Sequence, residues 1–365
     1  MATLFYSEKF IKNAAKEKDY MKTGIVKDSR YMEHHMGSFH VETPQRLEVI
    51  YRMIDDKITF SLDKIEPRSA TEKELTLVHT PGYVNTVKST AGKDLVQLDP
   101  DTSTSAKSWE VARLAAGGVL NAVDSIMKGK IQNGFALVRP PGHHAEASQA
   151  MGFCLFNNIA IGAAHLIKKH GLKRILVVDW DLHHGNGTQN SFYDSDEVLY
   201  FSTHQYPHYP GSGHWNEVGE RKGEGFTVNI PLRAGKTDGD YLHIFRKILR
   251  PIASAYKPEF ILVSAGFDIY EGDPLGGMLI SKEGFGALAA ELLDLAAEFS
   301  QKKLLCALEG GYDPQGLQDG VEHVLYQLAG EASKPEIESV LSSSTEQALA
   351  PVLETQKKYW PSIGT

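Results

Sequence analysis

The sequence predicts an α/β fold, with one central parallel sheet covered by helices on both faces. Three observations predict it. From residue 135 to residue 328, short apolar runs alternate with amphipathic helical stretches, the pattern of strands buried on both faces and joined by crossover helices. No linker interrupts that alternation, which argues for a single domain over 1–365, with a core at about 23–328 and a peripheral segment at 332–365. Finally, polar residues gather at the C-terminal end of each apolar run, where open parallel sheets bind their ligands.

Residues 1–45 are mixed and polar, and His34, His35 and His40 around Gly37 read as a surface loop. Thr43-Pro44-Gln45-Arg46-Leu47 is a helix start with proline in the first turn, followed by Leu47, Ile50, Tyr51 and Ile54 at helical spacing. Glu72 to Val87 predicts two short helices broken at Thr80-Pro81-Gly82, and Asp99 to Ser105 a turn-rich loop. Trp109 to Met127 is an Ala-rich helix whose Ala-Ala-Gly-Gly permits close packing.

The predicted strands then follow in order: Phe135–Val138, Ile175–Val178, Val198–Phe201, Phe260–Val263 and Lys303–Leu308. Helices are expected at Asn158–His170, near Gly187–Tyr193, at Lys282–Ser300, and, after the loop Glu309-Gly-Gly-Tyr312, up to Leu328. Behind the strands come Arg139-Pro-Pro-Gly-His143-His144, Asp179/Asp181/His183, Ser202/His204, Asp268 and Glu309-Gly-Gly-Tyr312. Five loops should therefore converge on one pocket.

Composition narrows the function. Hydrophobic content of 42% and charged content of 23% are those of an ordinary soluble globular protein. A net charge of -8 argues against a nucleic-acid binder. No uncharged apolar run approaches the roughly 18 residues of a membrane span, and Met1 to Lys9 lacks the regions of a signal peptide. The two cysteines, Cys154 and Cys306, sit in apolar contexts and read as buried thiols. A cytoplasmic protein is expected.

Asp181 and His183 are two apart, so in an extended segment both point to one side. A carboxylate and an imidazole there suit a divalent transition metal, with Asp268 as the third ligand and a position left for water or substrate. His143 and His144 read as a general base and acid, as further metal ligands, or as simple loop residues. Tyr312 could donate to a developing oxyanion, or pack as a turn residue. Gly185-Asn-Gly187 and Gly223-Glu-Gly225 lack the third glycine of a dinucleotide fingerprint.

Arg139-Pro-Pro-Gly-His-His-Ala-Glu, Gly152-Phe-Cys, Val178-Asp-Trp-Asp-Leu-His-His-Gly-Asn-Gly-Thr, Ser264-Ala-Gly-Phe-Asp268 and Glu309-Gly-Gly-Tyr312 resemble the zinc-dependent histone deacetylases. The resemblance runs from about Thr23 to Leu328 and is closest to the class II branch and its microbial amidohydrolase relatives. It implies the arginase/deacetylase fold and hydrolysis of an N-acetylated lysine or a similar acetylated amine. It further implies one catalytic zinc on Asp181, His183 and Asp268, with His144 as general base and then acid and His143 as its electrostatic partner. Tyr312 would stabilise the oxyanion. Asp179 would pair with the tandem histidines and, with Ser202 and backbone carbonyls, hold a structural potassium ion. Gly152, Phe153, Tyr209 and Gly311 would line the substrate channel, with Leu275 at its rim.

The sequence departs from that family at Tyr209, where phenylalanine is usual, and carries Asn186 where class I members have an acid. Leu275 stands where relatives specialised for acetylpolyamines place an acid, which disfavours that specialisation without excluding it. Three rival readings remain: an acetylpolyamine or small-amide hydrolase, a two-manganese ureohydrolase, and a non-catalytic acyl-lysine binding module. The substrate partner is expected to be an acetylated lysine or polyamine, with no nucleic acid and no membrane. Oligomeric state is unreadable.

Overall fold

In the computed structural model of the chain, residues 21–363 are described. The reading of the N-terminal segment as lacking a signal peptide concerns residues outside that range.

The first third builds one flank. Strand β1 (Thr23–Val26) is followed by α1 (Gln45–Lys57), β2 (Asp63–Lys64), α2 (Glu72–Leu75) and α3 (Pro81–Lys88). The Thr71 hydroxyl accepts from Glu74 N–H while Glu74 reaches back, a capping box, and Pro81 opens α3 behind the Thr80 cap. A two-stranded hairpin follows, β3 (Val96–Asp99) against β4 (Thr102–Thr104), and then α4 (Ser108–Met127).

The alternation read from the sequence begins at β5 (Asn133–Ala136) and continues through α5 (Asn158–His170), β6 (Ile175–Asp179), α6 (Asn186–Ser191), β7 (Val198–Gln205) and β8 (Thr227–Leu232). Helices α7 (Asp238–Ile244) and α8 (Arg250–Tyr256) are joined by a turn of wider pitch, Phe245–Leu249. Next come β9 (Phe260–Ala265), α9 (Lys282–Phe299), β10 (Leu304–Leu308), α10 (Pro314–Leu328) and α11 (Ser343–Gln356).

Eight strands form one sheet in the order β2-β1-β5-β10-β9-β6-β7-β8, with every pairing parallel. All residues of β5, β6, β9 and β10 are buried. This is why these strands read as unbroken apolar runs rather than as alternation. The chain leaves the middle of the sheet at β5, builds β6 to β8 towards one edge, and returns to insert β9 and β10 between β5 and β6. A crevice opens at such a reversal, outside the carboxyl ends of the strands.

Several elements differ from the sequence reading. The first strand of the alternation lies two residues earlier than expected, at Asn133–Ala136, because it must align with β1 and β10. Strands β1, β2 and β8 and helices α7 and α8 were not foreseen. The loop expected at Asp99–Ser105 is largely the tip and second strand of the hairpin. His34, expected on a surface loop, is fully buried, with Nδ1 2.7 Å from Ser108 Oγ. The C-terminal helix α11 packs on β8, where Gln356 Nε2 donates to the Thr227 carbonyl. Cys154 and Cys306 are both buried free thiols. Among the described residues, no helix is long and apolar enough to cross a membrane.

Candidate active site

The carboxyl ends of β5, β6, β9 and β10 surround a cavity of about 360 Å³. His143, His144, Gly152, Phe153, His183, Tyr209, Leu275 and Tyr312 all line it. Gly311 does not; its neighbour Gly310 does, while the Gly311 carbonyl faces away to accept from Arg46 Nε at 2.7 Å.

Asp181, His183 and Asp268 bring three ligand atoms within 4.8 Å of one another. His183 Nδ1 lies 3.2 Å from Asp181 Oδ1 and 3.1 Å from Asp268 Oδ2. The register places them there: β6 and β9 pair with Asp179 opposite Ser264, so the loops after both strands begin level. Backbone donors fix the carboxylates. Gly310 N–H donates to Asp181 Oδ2 and Leu182 N–H to Asp268 Oδ1, each at 2.8 Å. A side chain at Gly310 would bring its Cβ within 2.2 Å of Asp268 Oδ2, so only glycine permits this approach.

Two buried carboxylates and an imidazole, beside an open cavity, are the donor set of a catalytic zinc site. Burial and the neighbouring Asp181 carboxylate push Asp268 up to about 7, a penalty that a divalent cation among these oxygens would remove. The residues fit the ion.

The tandem histidines are held in different ways. His143 Nδ1–H donates to Asp179 Oδ2 at 3.1 Å, and Tyr200 Oη–H donates to the same oxygen at 3.0 Å. Burial opposes the charged form of His143, yet Asp181 and Asp179 outweigh it and push the imidazole up to about 10. His144 Nδ1 instead meets Asn186 Oδ1 at 2.7 Å. The Asn186 amide can be oriented, because its Nδ2 donates to Glu146 Oε1 at 2.6 Å. His144 therefore carries its proton on Nδ1 and keeps a lone pair on Nε2. Burial, then the nearby charges of His143 and His183, hold it well below the usual imidazole range. Asp179, expected to serve both histidines, bonds only one.

Tyr312 closes another wall. Its N–H donates to Asp273 Oδ2 at 2.6 Å, and the Arg46 guanidinium lies 4.9 Å from its ring centre. Burial raises its hydroxyl well above the ordinary phenol range despite Arg46, so the group stays a proton donor. Phe153 adopts φ +69°, an uncommon backbone state for a bulky residue. The hairpin turn steadies it: Phe153 N–H donates to Thr102 Oγ1 at 2.9 Å and Gly152 N–H to Asp101 Oδ1 at 3.2 Å.

Asp101, His208 and Gly310 also line the cavity and were not singled out from the sequence. Asp101 was visible only as one residue of a turn. His208 adjoins Tyr209 in a Pro/Gly-rich loop, with its ring centre 5.2 Å from that of His183. Tyr209 Oη and His208 Nδ1 are buried without a well-formed hydrogen bond among the described residues, and the Asp101 carboxylate is the charged group beside the Tyr209 hydroxyl. Ser202, beside Asp179 across β6 and β7, has its hydroxyl 2.9 Å from His204 Nδ1.

Residues 40–328 match the family model described as the histone deacetylase domain. The chain belongs to the histone deacetylase family. Within that family it is 40% identical to histone deacetylase 18 of Arabidopsis thaliana, over 95% of this chain and 53% of that protein. It is 40% identical to polyamine deacetylase HDAC10 of Danio rerio, over 88% and 49% respectively. A probable deacetylase of Archaeoglobus fulgidus is 38% identical, over 81% of this chain and 83% of that protein. The chain thus spans about half the length of several curated relatives it matches. The crystal structure of the HDA15 HD domain superposes with a TM-score of 0.88 at 38% identity, covering 94% of this chain and 96% of that one.

Proposed function

We propose that this histone deacetylase family member hydrolyses the amide of an N-acetylated lysine or a similar acetylated amine, releasing acetate. The observation that carries the reading is His144: a neutral imidazole with a free Nε2 on the cavity wall, beside the Asp181/His183/Asp268 cluster.

Asp181, His183 and Asp268 would hold one zinc ion, which when bound polarises a carbonyl and acidifies water. His144 Nε2 takes a proton from the water that attacks the acyl carbon. Tyr312 donates its hydroxyl to the carbonyl oxygen as that oxygen becomes negative. The C–N bond then breaks, and the leaving amine takes a proton from the histidine pair. His143, paired with Asp179, supplies positive charge next to these events. Phe153 and Tyr209 flank the stem of the substrate, and Leu275 stands at the rim. Asp179 and Ser202, neighbours in register, with backbone carbonyls would hold a potassium ion. A cytoplasmic location accords with two free buried thiols.

A second substrate class has an observation in its favour. The Asp101 carboxylate, the Tyr209 hydroxyl and the His208 imidazole make the channel more polar than a methylene stem requires, which suits an acetylpolyamine. The two-manganese and non-catalytic readings have less support, since the cluster has one Asp/His/Asp set and both His144 and Tyr312 line the cavity. Acetate release from an acetyl-lysine peptide and from an acetylpolyamine separates the readings. Turnover of the peptide supports the first class and turnover of the polyamine alone the second. No turnover of either by zinc-loaded protein overturns both.

A further inference from the structure

A second group of metal-capable side chains meets at the far end of α5. Asp124, on the last turn of α4, faces His165 and His170, near the end of α5. His165 Nε2 lies 2.9 Å, and His170 Nε2 2.8 Å, from the same oxygen, Asp124 Oδ1. The three ligand atoms fall within 4.8 Å of one another. From this geometry we propose that Asp124, His165 and His170 form a site for one divalent transition ion, distinct from the catalytic cluster.

The distances suit such an ion. Bonds of about 2.0–2.1 Å in a tetrahedron set ligand atoms roughly 3.3–3.4 Å apart. The two imidazoles need therefore retreat from the carboxylate by only about half an ångström. Two imidazoles and one carboxylate are donors that zinc, nickel or copper accepts. The side chains of Asp124, His165 and His170 are 12%, 5% and 15% exposed, enough shielding to hold a ligand set and enough opening for a water at a fourth position. Asp124 also borders a surface cavity of about 490 Å³ with Asn121, Ser125 and Lys128.

Charge is arranged for it. Lys169, His165 and His170 all face the Asp124 carboxylate. Lys169 Nζ, half-exposed, sits 2.6 Å from Asp124 Oδ2, the other carboxylate oxygen. It leaves Oδ1 to the ion but repels a dication, so it sets the affinity. The site lies at the opposite end of α5 from the catalytic cavity: the Asn157 cap holds Thr188 and the His143 carbonyl, and thirteen helical residues span about 20 Å.

The test is zinc stoichiometry of the untagged full chain, measured by calorimetric titration of protein already holding its first equivalent. A second equivalent per chain with a dissociation constant of micromolar order is expected. His170→Asn should weaken that second equivalent about a hundredfold while keeping the first zinc and the acetate-release rate. Lys169→Met should tighten it several-fold. Saturation of the wild type at one zinc overturns the proposal, as does a second affinity equal in wild type and His170→Asn. His170 is partly exposed, so its variant folds even if a His165 variant does not, and the comparison reads this site alone.

Discussion

Asn186 Oδ1 stands 2.7 Å from His144 Nδ1, while the neighbouring His143 Nδ1 faces a carboxylate oxygen of Asp179 at 3.1 Å. An amide oxygen favours the imidazolium far less than a carboxylate does, and burial with the charges of His143 and His183 outweighs it at His144. The pair is thereby divided into a neutral partner and a charged one. A base needs the lone pair of the first, and a developing negative charge gains from the second.

Replacing Asn186 by aspartate should erase that division. His144 must be unprotonated to accept a proton, and its pKa lies below the usual value of about 6.5. In the native protein kcat/KM should therefore stay flat as pH falls to about 6.5 and decline only below it. Asn186→Asp should move the acid limb up by about one pH unit or more. An unmoved limb would place the essential base elsewhere.

Tyr312→Phe removes the hydroxyl assigned to the forming oxyanion. The loss should fall on kcat, by about 10²–10³, with KM little changed, since the interaction strengthens only in the transition state. Steady-state kinetics on an acetyl-lysine peptide read both constants. A loss confined to KM would make Tyr312 a packing residue.

Tyr209→Phe deletes a buried hydroxyl without a well-formed hydrogen bond among the described residues. Leaving such a group buried costs about 1–3 kcal/mol. The variant should be at least as stable as the wild type in a denaturant titration, and its kcat/KM on the acetyl-lysine peptide should be no lower than that of the wild type. On an acetylpolyamine it should fall if the hydroxyl meets the substrate's amine.

Acid should destabilise the fold through its buried neutral histidines. Burial lowers His79 and His204 to about 4, against about 6.5 in the unfolded chain. Between those values the unfolded state binds more protons at these two sites, so the stability they contribute is complete above pH 6.5 and falls as pH drops towards 4, while Asp268 and Glu309, both pushed up to about 7 by burial, act with the opposite sign. Each histidine contributes up to about 1.4 kcal/mol per pH unit in that window. Urea midpoints at pH 7.5, 6.5, 5.5 and 4.5 check the slope. A His204→Gln variant whose midpoint falls with acid as steeply as that of the wild type would refute it.

The sequence revealed β5, β6, β7, β9 and β10 and hid β1, β2 and β8; β1, although buried, is only four residues long and begins Thr-Gly. Ile175–Val178 and Phe260–Val263 are apolar without interruption because helices cover both sides. Strand β8, Thr-Val-Asn-Ile-Pro-Leu, lies at the sheet edge, where Pro231 is tolerated and the pattern is diluted. The two-residue β2 is exposed and leaves no periodicity to detect. The site follows the same rule. Asp181, His183, Asp268, His144 and Tyr312 follow buried strands, so their place in the alternation already groups them. Asp101 reaches the cavity from a hairpin tip, and Arg46 of α1 packs on the ring of Tyr312. Neither is signalled by a strand end, and only the tertiary packing joins them to the rest.

Zinc dependence of acetate release tests the central claim most directly. Purified protein would be stripped with a chelator, assayed on the acetyl-lysine peptide or the acetylpolyamine, whichever turns over, and assayed again after one equivalent of zinc, in parallel with Asp268→Asn. The account predicts loss of activity on stripping and its return with zinc. It also predicts an Asp268→Asn protein that binds zinc at least tenfold more weakly and stays inactive after the same addition. Full activity in the stripped protein, or in Asp268→Asn, would contradict it.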